Sequence, residues 1–298
     1  MAKKEAQAAN VATAELEAAA ERANSRRGFR ISLPAYVYLI IFFVIPLLLV
    51  FVYSFASRSS TGLTVLEGWN LESYKRLFTP IVGQILLRSL FLALTTTMIC
   101  LVVCYPFAYY IATRGVSFRN VLLVMVMIPF WSNFLVRTYS WKFILGSDGL
   151  VSQVSQFFGG GEVRLLFTNT AVLIGMVYGF MPFMVLPLYA ALERMDWSLV
   201  DAARDLYANG WTAFRKVTFP LSMPGVVAGS ILVFIPSIGA YVTPAILGGA
   251  TTTLIGDYIV SQFLTARNWP FGSALSISIM VLMLGATLIY FRSGARNV

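Results

Sequence analysis

Residues 193–220 read ERMDWSLVDAARDLYANGWTAFRKVTFP, and they stand between two long apolar runs, Thr170–Leu192 and Val226–Leu247. A spanning helix needs about 20 mostly apolar residues, because each adds 1.5 Å against a hydrocarbon core about 30 Å thick. Both runs meet that length, so the stretch is the connection between two membrane spans. It is also patterned. Ser198 followed three residues later by Asp201 gives a capping-box-like start, with a carboxylate near the positive end of the helix. Leu199, Ala202, Ala203 and Leu206 then fall near one face. Asn209-Gly210 supplies a turn that tolerates positive φ, and a second short helix starts near Thr212 and ends by Pro220. The expected shape is helix, sharp turn, helix, held close under the membrane. Ala202 and Ala203 allow close approach, while Leu206, Tyr207, Trp211 and Phe214 offer apolar anchors. Spacing alone leaves two uses open: an amphipathic loop lying on the bilayer, or a shape that enters a groove on another protein.

Working outward, four more apolar runs meet or approach the span length: Ala35–Phe55, Leu86–Ala112, Val121–Val136 and Ala274–Phe291. The third of the six is short and runs into Arg137-Thr138-Tyr139-Ser140-Trp141-Lys142, which reads as an interfacial belt. Composition agrees: of 298 residues, 58% are hydrophobic and only 12% charged. A soluble domain carries roughly 25% charged residues, so most of this surface does not face water. The reading is an all-α membrane protein with six transmembrane helices. With the N-terminus inside, fourteen of the 22 Lys and Arg residues fall in inside segments, and Arg26, Arg27 and Arg30 lie just before the first span. Both termini are therefore expected on the cytoplasmic side. The same rule accounts for the net charge of +9 without nucleic acid.

Residues 1–30, rich in Ala, Glu and Lys, read as a cytoplasmic tail that is helical or disordered, ahead of a permease-like membrane unit at 31–298. The apolar run after the tail is too long for a cleavable signal, so the first span is expected to stay as an anchor. Gly159-Gly160-Gly161 marks a flexible point between spans three and four. Cys100 and Cys104 share one helix face and read as small buried hydrophobes. Histidine is absent, which removes the commonest general base and metal ligand. There is no Gly-x-x-x-x-Gly-Lys-Ser/Thr phosphate loop, so this chain is not expected to bind ATP that way. A membrane-embedded enzyme lacks paired acids or a nucleophile–base set. A secondary transporter would need repeats or intramembrane coupling charges, and an exporter would need longer cytoplasmic helices.

The loop resembles the EAA loop of bacterial ABC-importer permeases: Glu-Ala-Ala, then Gly, then an apolar stretch closed by Pro. Here it reads Asp201-Ala202-Ala203, with Gly210 following and Pro220 closing. Asp keeps the charge of Glu. Six residues separate Ala203 from Gly210, and Tyr207 occupies the family's glycine position, so the turn is expected to move to Asn209-Gly210. Further stretches are similar to the first permease subunit of spermidine/putrescine importers: Ile128-Pro129-Phe130-Trp131, Arg137-Thr138-Tyr139-Ser140-Trp141, Leu247-Gly248-Gly249 and Trp269-Pro270-Phe271-Gly272. The resemblance implies the type I ABC-importer permease fold in the bacterial inner membrane. It implies half of a pore for a small solute, a second homologous permease, and a separate ATPase homodimer that holds ATP and Mg. An extracytoplasmic solute-binding protein completes the set. It also implies that the loop docks in the ATPase.

For the path itself, Pro236-Ser237-Ile238-Gly239-Ala240-Tyr241-Val242-Thr243-Pro244 places two prolines and a glycine within nine residues of span five. A kinked or loosened helix is expected there, with Ser237, Gly239, Tyr241 and Thr243 lining the path or gate, or else a kink serving only packing. A multiply charged cation calls for carboxylates or aromatic faces along its route. Spans five and six contain no acid. Asp257 in the outer loop is the nearest, and Tyr241, Trp131 and Trp141 offer rings.

Overall fold

The computed structural model describes residues 32–59, 64–66, 68–249 and 252–294, so the tail expected at 1–30 lies outside the described residues. The described chain is almost wholly helical. Helix α1 runs over Ser32–Tyr53 and widens into a π turn at Ile40–Val44. A two-residue hairpin follows, Ser57–Arg58 paired antiparallel with Thr64–Val65, and then the short α2, Glu72–Arg76. Next come α3 (Pro80–Ala112), α4 (Val116–Trp131), α5 (Phe134–Leu145), α6 (Leu150–Phe157) and α7 (Asn169–Glu193). The loop region holds α8 (Ser198–Asp205) and α9 (Gly210–Leu221). The chain closes with α10 (Met223–Ile238), α11 (Ile255–Leu264) and α12 (Trp269–Gly294).

Helices α1, α3, α7 and α12 are each long and apolar enough to cross a bilayer. Six spans result when two bent pairs are each counted as one: α4 with α5–α6, bent by 90°, and α9 with α10, bent by 65°. The third and fifth spans therefore differ from the sequence reading. The third helix stops at Trp131 rather than Val136. Ser132 turns extended, and the Asn133 side chain accepts from the Leu135 and Val136 amides at 2.9 and 3.3 Å, starting a new helix. The Arg137–Lys142 stretch is thus helical, within α5. The fifth span ends at Ile238, nine residues early, and a separate π turn covers Pro244–Gly248. Gly239 and the missing N–H of Pro244 let the helix stop between them. The second span starts at Pro80 and the sixth at Trp269, each several residues before the expected first residue.

Helices α3, α7 and α10 form the centre. Lipid tails are as apolar as leucine, so such helices associate through close packing of small residues rather than through water exclusion. Cys100, Cys104 and Ala108 lie four apart on α3 and are wholly buried against α7. The two thiols point at the Val177 and Met181 carbonyls, at 3.7 and 3.8 Å. On α10, a Cβ added at Gly225 would stand 2.6 Å from both the Ala191 Cβ and the Pro187 carbonyl oxygen, so only glycine lets α10 come this near α7. At the opposite end, Arg88 of α3 donates to the Asn169 side chain of α7 at 2.9 Å. Helix α1 lies outside this centre, packs on α12, and has no buried residue in its apolar window.

Candidate functional site

The stretch between α7 and α10 folds on itself. Met195, Val200 and Ala213 are buried together, with Trp197, Ala203, Ala208 and Val217 packed against them. One face of α8 and one of α9 thus make a small core of their own. The start of α8 departs from the capping box read from sequence. Trp197 is the N-cap and Ser198 already lies inside the helix. The Asp196 carboxylate takes the capping role by accepting from the Ser198 amide at 3.0 Å. The Ser198 hydroxyl, and after it this amide bond, hold the Asp196 carboxyl below its usual range. Asp201 is exposed and pairs only loosely with Arg204, at 3.7 Å, a contact of little energetic weight in water.

The turn between α8 and α9 also differs from expectation. Tyr207 itself adopts φ +59°, whereas Gly210 is the first helical residue of α9. A left-handed residue other than glycine costs roughly 1–2 kcal/mol. Asn209 caps α9, its side chain accepting from the Thr212 amide at 2.8 Å. Pro220 does not end the helix. The π turn Phe214–Thr218 widens the helix just before it, and α9 continues to Leu221. The break comes at Ser222, which is buried and hydrogen-bonded to the Tyr105 hydroxyl of α3 at 2.7 Å. Tyr105 also meets the Phe214 ring edge-on at 5.5 Å. This tie was not read from sequence, because nothing near Tyr105 marks it as a partner of a residue 117 positions away.

The anchors divide into two groups. Tyr207 is 99% exposed, Leu206 82% and Trp211 70%, so three large side chains stand out from the turn, with only the Trp211 ring stacked on another ring of the loop, Phe214 at 5.5 Å. Phe214 faces inward, and Ala203 packs against the loop core, while Ala202 is exposed. Beside them, Arg194, Asp196, Leu199, Leu221 and Gly225 line an open groove of about 530 Å³ between α7, α8 and α10.

The residues read as a path are not brought together in the same way. Ser237 is fully buried, and its hydroxyl donates back to the Val233 carbonyl at 2.6 Å, so it does not line an open path. Thr243 is also buried. Gly239 and Tyr241 are exposed at the break after α10. Trp131 ends α4 and is 75% exposed, whereas Trp141 packs edge-on against Tyr178 at 5.3 Å. No ring contact joins Trp131, Trp141 and Tyr241 among the described residues. Asp257 sits in the first turn of α11, partly buried, and burial pushes its carboxyl above the usual range. Among the described residues there is no cluster of His, Cys, Asp or Glu that could hold a metal ion.

Comparison with known proteins places this geometry. Residues 104–296 match the family described as binding-protein-dependent transport system inner membrane component. The chain is 42% identical over 258 residues to the spermidine/putrescine transport system permease protein PotB of Haemophilus influenzae, covering 86% of this chain and 90% of that protein. It is 39% identical to PotB of Escherichia coli K12, covering 86% and 94%. Among solved structures it superposes on a chain of a bacterial ABC transporter that imports the acidic polysaccharide alginate. The TM-score is 0.68 with 16% identity, covering 92% of this chain and 96% of that one.

Proposed function

This chain belongs to the binding-protein-dependent transport system inner membrane components and is a permease of an ABC importer, and on that premise we propose that its solute is a polyamine. The two PotB relatives, named for spermidine and putrescine, support the cargo. In this reading the chain forms half of the pore beside a second homologous permease. A separate ATPase homodimer holds ATP and Mg, and an extracytoplasmic binding protein delivers the solute. Both termini and the 193–220 loop face the cytoplasm, following the bias of Lys and Arg.

The observation that carries the coupling role is the turn at Tyr207. Tyr207 takes φ +59° just past the end of α8, where the Ala208 amide closes the turn on the Ala203 carbonyl at 3.1 Å, and this turn presents the Tyr207 ring wholly to the outside. Leu206, Tyr207 and Trp211 suit an apolar groove on the ATPase, and the packed core beneath them passes its movement to α7 and α10. At the far end, Tyr241 and Trp131 offer exposed ring faces to an ammonium group, and Asp257 a carboxylate. Burial disfavours the charged form of Asp257, and a bound cation would offset that cost.

Two experiments test this. Ala203→Glu would bury a charge among Val200, Ala213 and Val217. ATP-driven uptake should vanish while membrane insertion persists; normal uptake would sink the coupling role. Separately, excess unlabelled spermidine or putrescine should suppress uptake of the labelled polyamine. Uptake indifferent to both would remove the cargo and leave the permease class standing.

A further inference from the structure

The end of α7 and the start of α4 each carry a charge on the wrong pole of their helix. Arg119 is the fourth residue of α4, near its positive end, and Glu193 is the last residue of α7, at its negative end. A helix dipole disfavours both placements. The two side chains meet, Arg119 Nη1 to Glu193 Oε1 at 3.1 Å, with the arginine only 20% exposed. The guanidinium lies 5.8 Å from the Tyr189 ring centre, and its Nε is buried without a partner. Local rules are thus broken three times at one contact, two charges against the helix dipoles and one buried donor unpaired. Such a cluster of violations marks a place kept for something other than stability.

Its position says what that is. No residue of α4 is buried, so this helix is held to the core only by partial contacts such as Leu122 and Val126, and by the Phe130–Phe183 ring contact. The Arg119–Glu193 contact is the one ion pair of α4 among the described residues. Glu193 stands two residues before Met195 in the loop core and three before Asp196, the cap of α8. At its other end α4 meets the 90° bend into α5, where Arg137 Nη1 donates to the Pro129 carbonyl at 2.7 Å and Ser132 to the same oxygen at 2.6 Å.

We propose that Arg119 and Glu193 form the joint through which the 193–220 loop moves α4, and through α4 the bend at Ser132-Asn133. Both are positioning residues for transport. The pair stays closed through the cycle and transmits displacement, because the other contacts between α4 and the core are only partly buried.

The joint rests on the coupling role proposed above for the loop, and the test is done on the full importer in proteoliposomes with its ATPase and binding protein. Arg119→Glu and Glu193→Arg should each lower solute taken up per ATP hydrolysed on the order of tenfold, with the ATPase still copurifying. The double exchange, Arg119→Glu with Glu193→Arg, should recover most of that ratio. An unchanged ratio in the single variants, or an exchange as defective as they are, overturns the proposal. A second measurement avoids charge reversal. With Arg119→Cys and Glu193→Cys tied by a short bismaleimide, uptake should persist, because the joint need not open; Cys100 and Cys104 are buried beyond the reagent. Loss of uptake on cross-linking would likewise overturn it. Normal uptake by Ala203→Glu would remove the loop's role and the joint together. A dead Ala203→Glu importer beside unchanged ratios in the Arg119 and Glu193 variants would remove the joint alone.

Discussion

Helix α7 is packed at both ends, by α10 beside the loop and by the turn after α10 at the far end, and the two contacts are built differently. At the loop end, the atoms that a Cβ at Gly225 would meet are the Ala191 Cβ, the Pro187 carbonyl and the Leu188 Cα. These cannot step aside without moving the helix. At the far end, a Cβ at Gly175 of α7 would meet Leu247 Cδ1 at 2.5 Å and Thr243 Cγ2 at 2.9 Å, the tips of side chains on the turn after α10. Those can rotate. The loop end also has the Tyr105–Ser222 bond and the loop's own core, while at the far end α10 simply stops at Ile238. Under the coupling role proposed above, rigid packing would suit the loop end and yielding packing the end assigned to the solute.

This contrast breaks first at the two glycines. Gly225→Ala should destabilise the protein by about 2–3 kcal/mol, and Gly175→Ala by about 1 kcal/mol or less, read as the fall in melting temperature in detergent. The reverse order would show that the far end is the rigid one. Leu206→Ala and Trp211→Ala should each weaken binding of the ATPase by about 2 kcal/mol, Leu206→Ala with little change in melting because its side chain stands in solvent, and Trp211→Ala with a small fall from its lost stack on Phe214. Unchanged affinity in pull-down titrations would make the loop's tip decorative. Tyr207→Gly should relieve the left-handed turn by about 1 kcal/mol and slow amide exchange over Leu206–Ala208, while still weakening the ATPase contact. Faster exchange would mean that the tyrosine ring, not the backbone, sets the turn. The smallest effect is a difference of labelling alone. Cysteine at Tyr241 should react with water-borne thiol reagents and cysteine at Ser237 should not, because only the first is exposed. Equal reactivity would place an open path along α10 itself.

The loop was the most legible part of the chain. Its helix–turn–helix shape depends on contacts within about 25 residues, so Asp, Asn, Gly and alternating apolar positions carry most of it. The errors there are local competitions. Asp196 took the cap from Ser198 because the helix starts one residue earlier than the capping box requires, leaving the Ser198 amide itself as an orphan donor that the Asp196 side chain accepts. Tyr207 rather than Gly210 holds the positive φ because it directly follows the C-cap of α8, where the Ala208 amide closes back on the Ala203 carbonyl, and Asn209-Gly210 instead begins α9. The path was less legible. Ser237 and Tyr241 differ by four positions and look equivalent in a string, yet one faces the core and the other the surface. The break at Ser132-Asn133 was hidden by the apolar residues on both sides of it, which hydropathy sums together.

By itself, the sequence determined that this protein lives in a membrane, roughly where its six spans lie, and that the loop between the fourth and fifth is a built element. Those follow from transfer energies and backbone capping, which act over a turn or two of chain. Only the tertiary structure decided that two of the spans are bent, which side of α10 is closed, and that Tyr105 and Arg119 reach the loop and its root. Such facts depend on which surfaces come within a few ångströms of each other, and no local pattern encodes that distance.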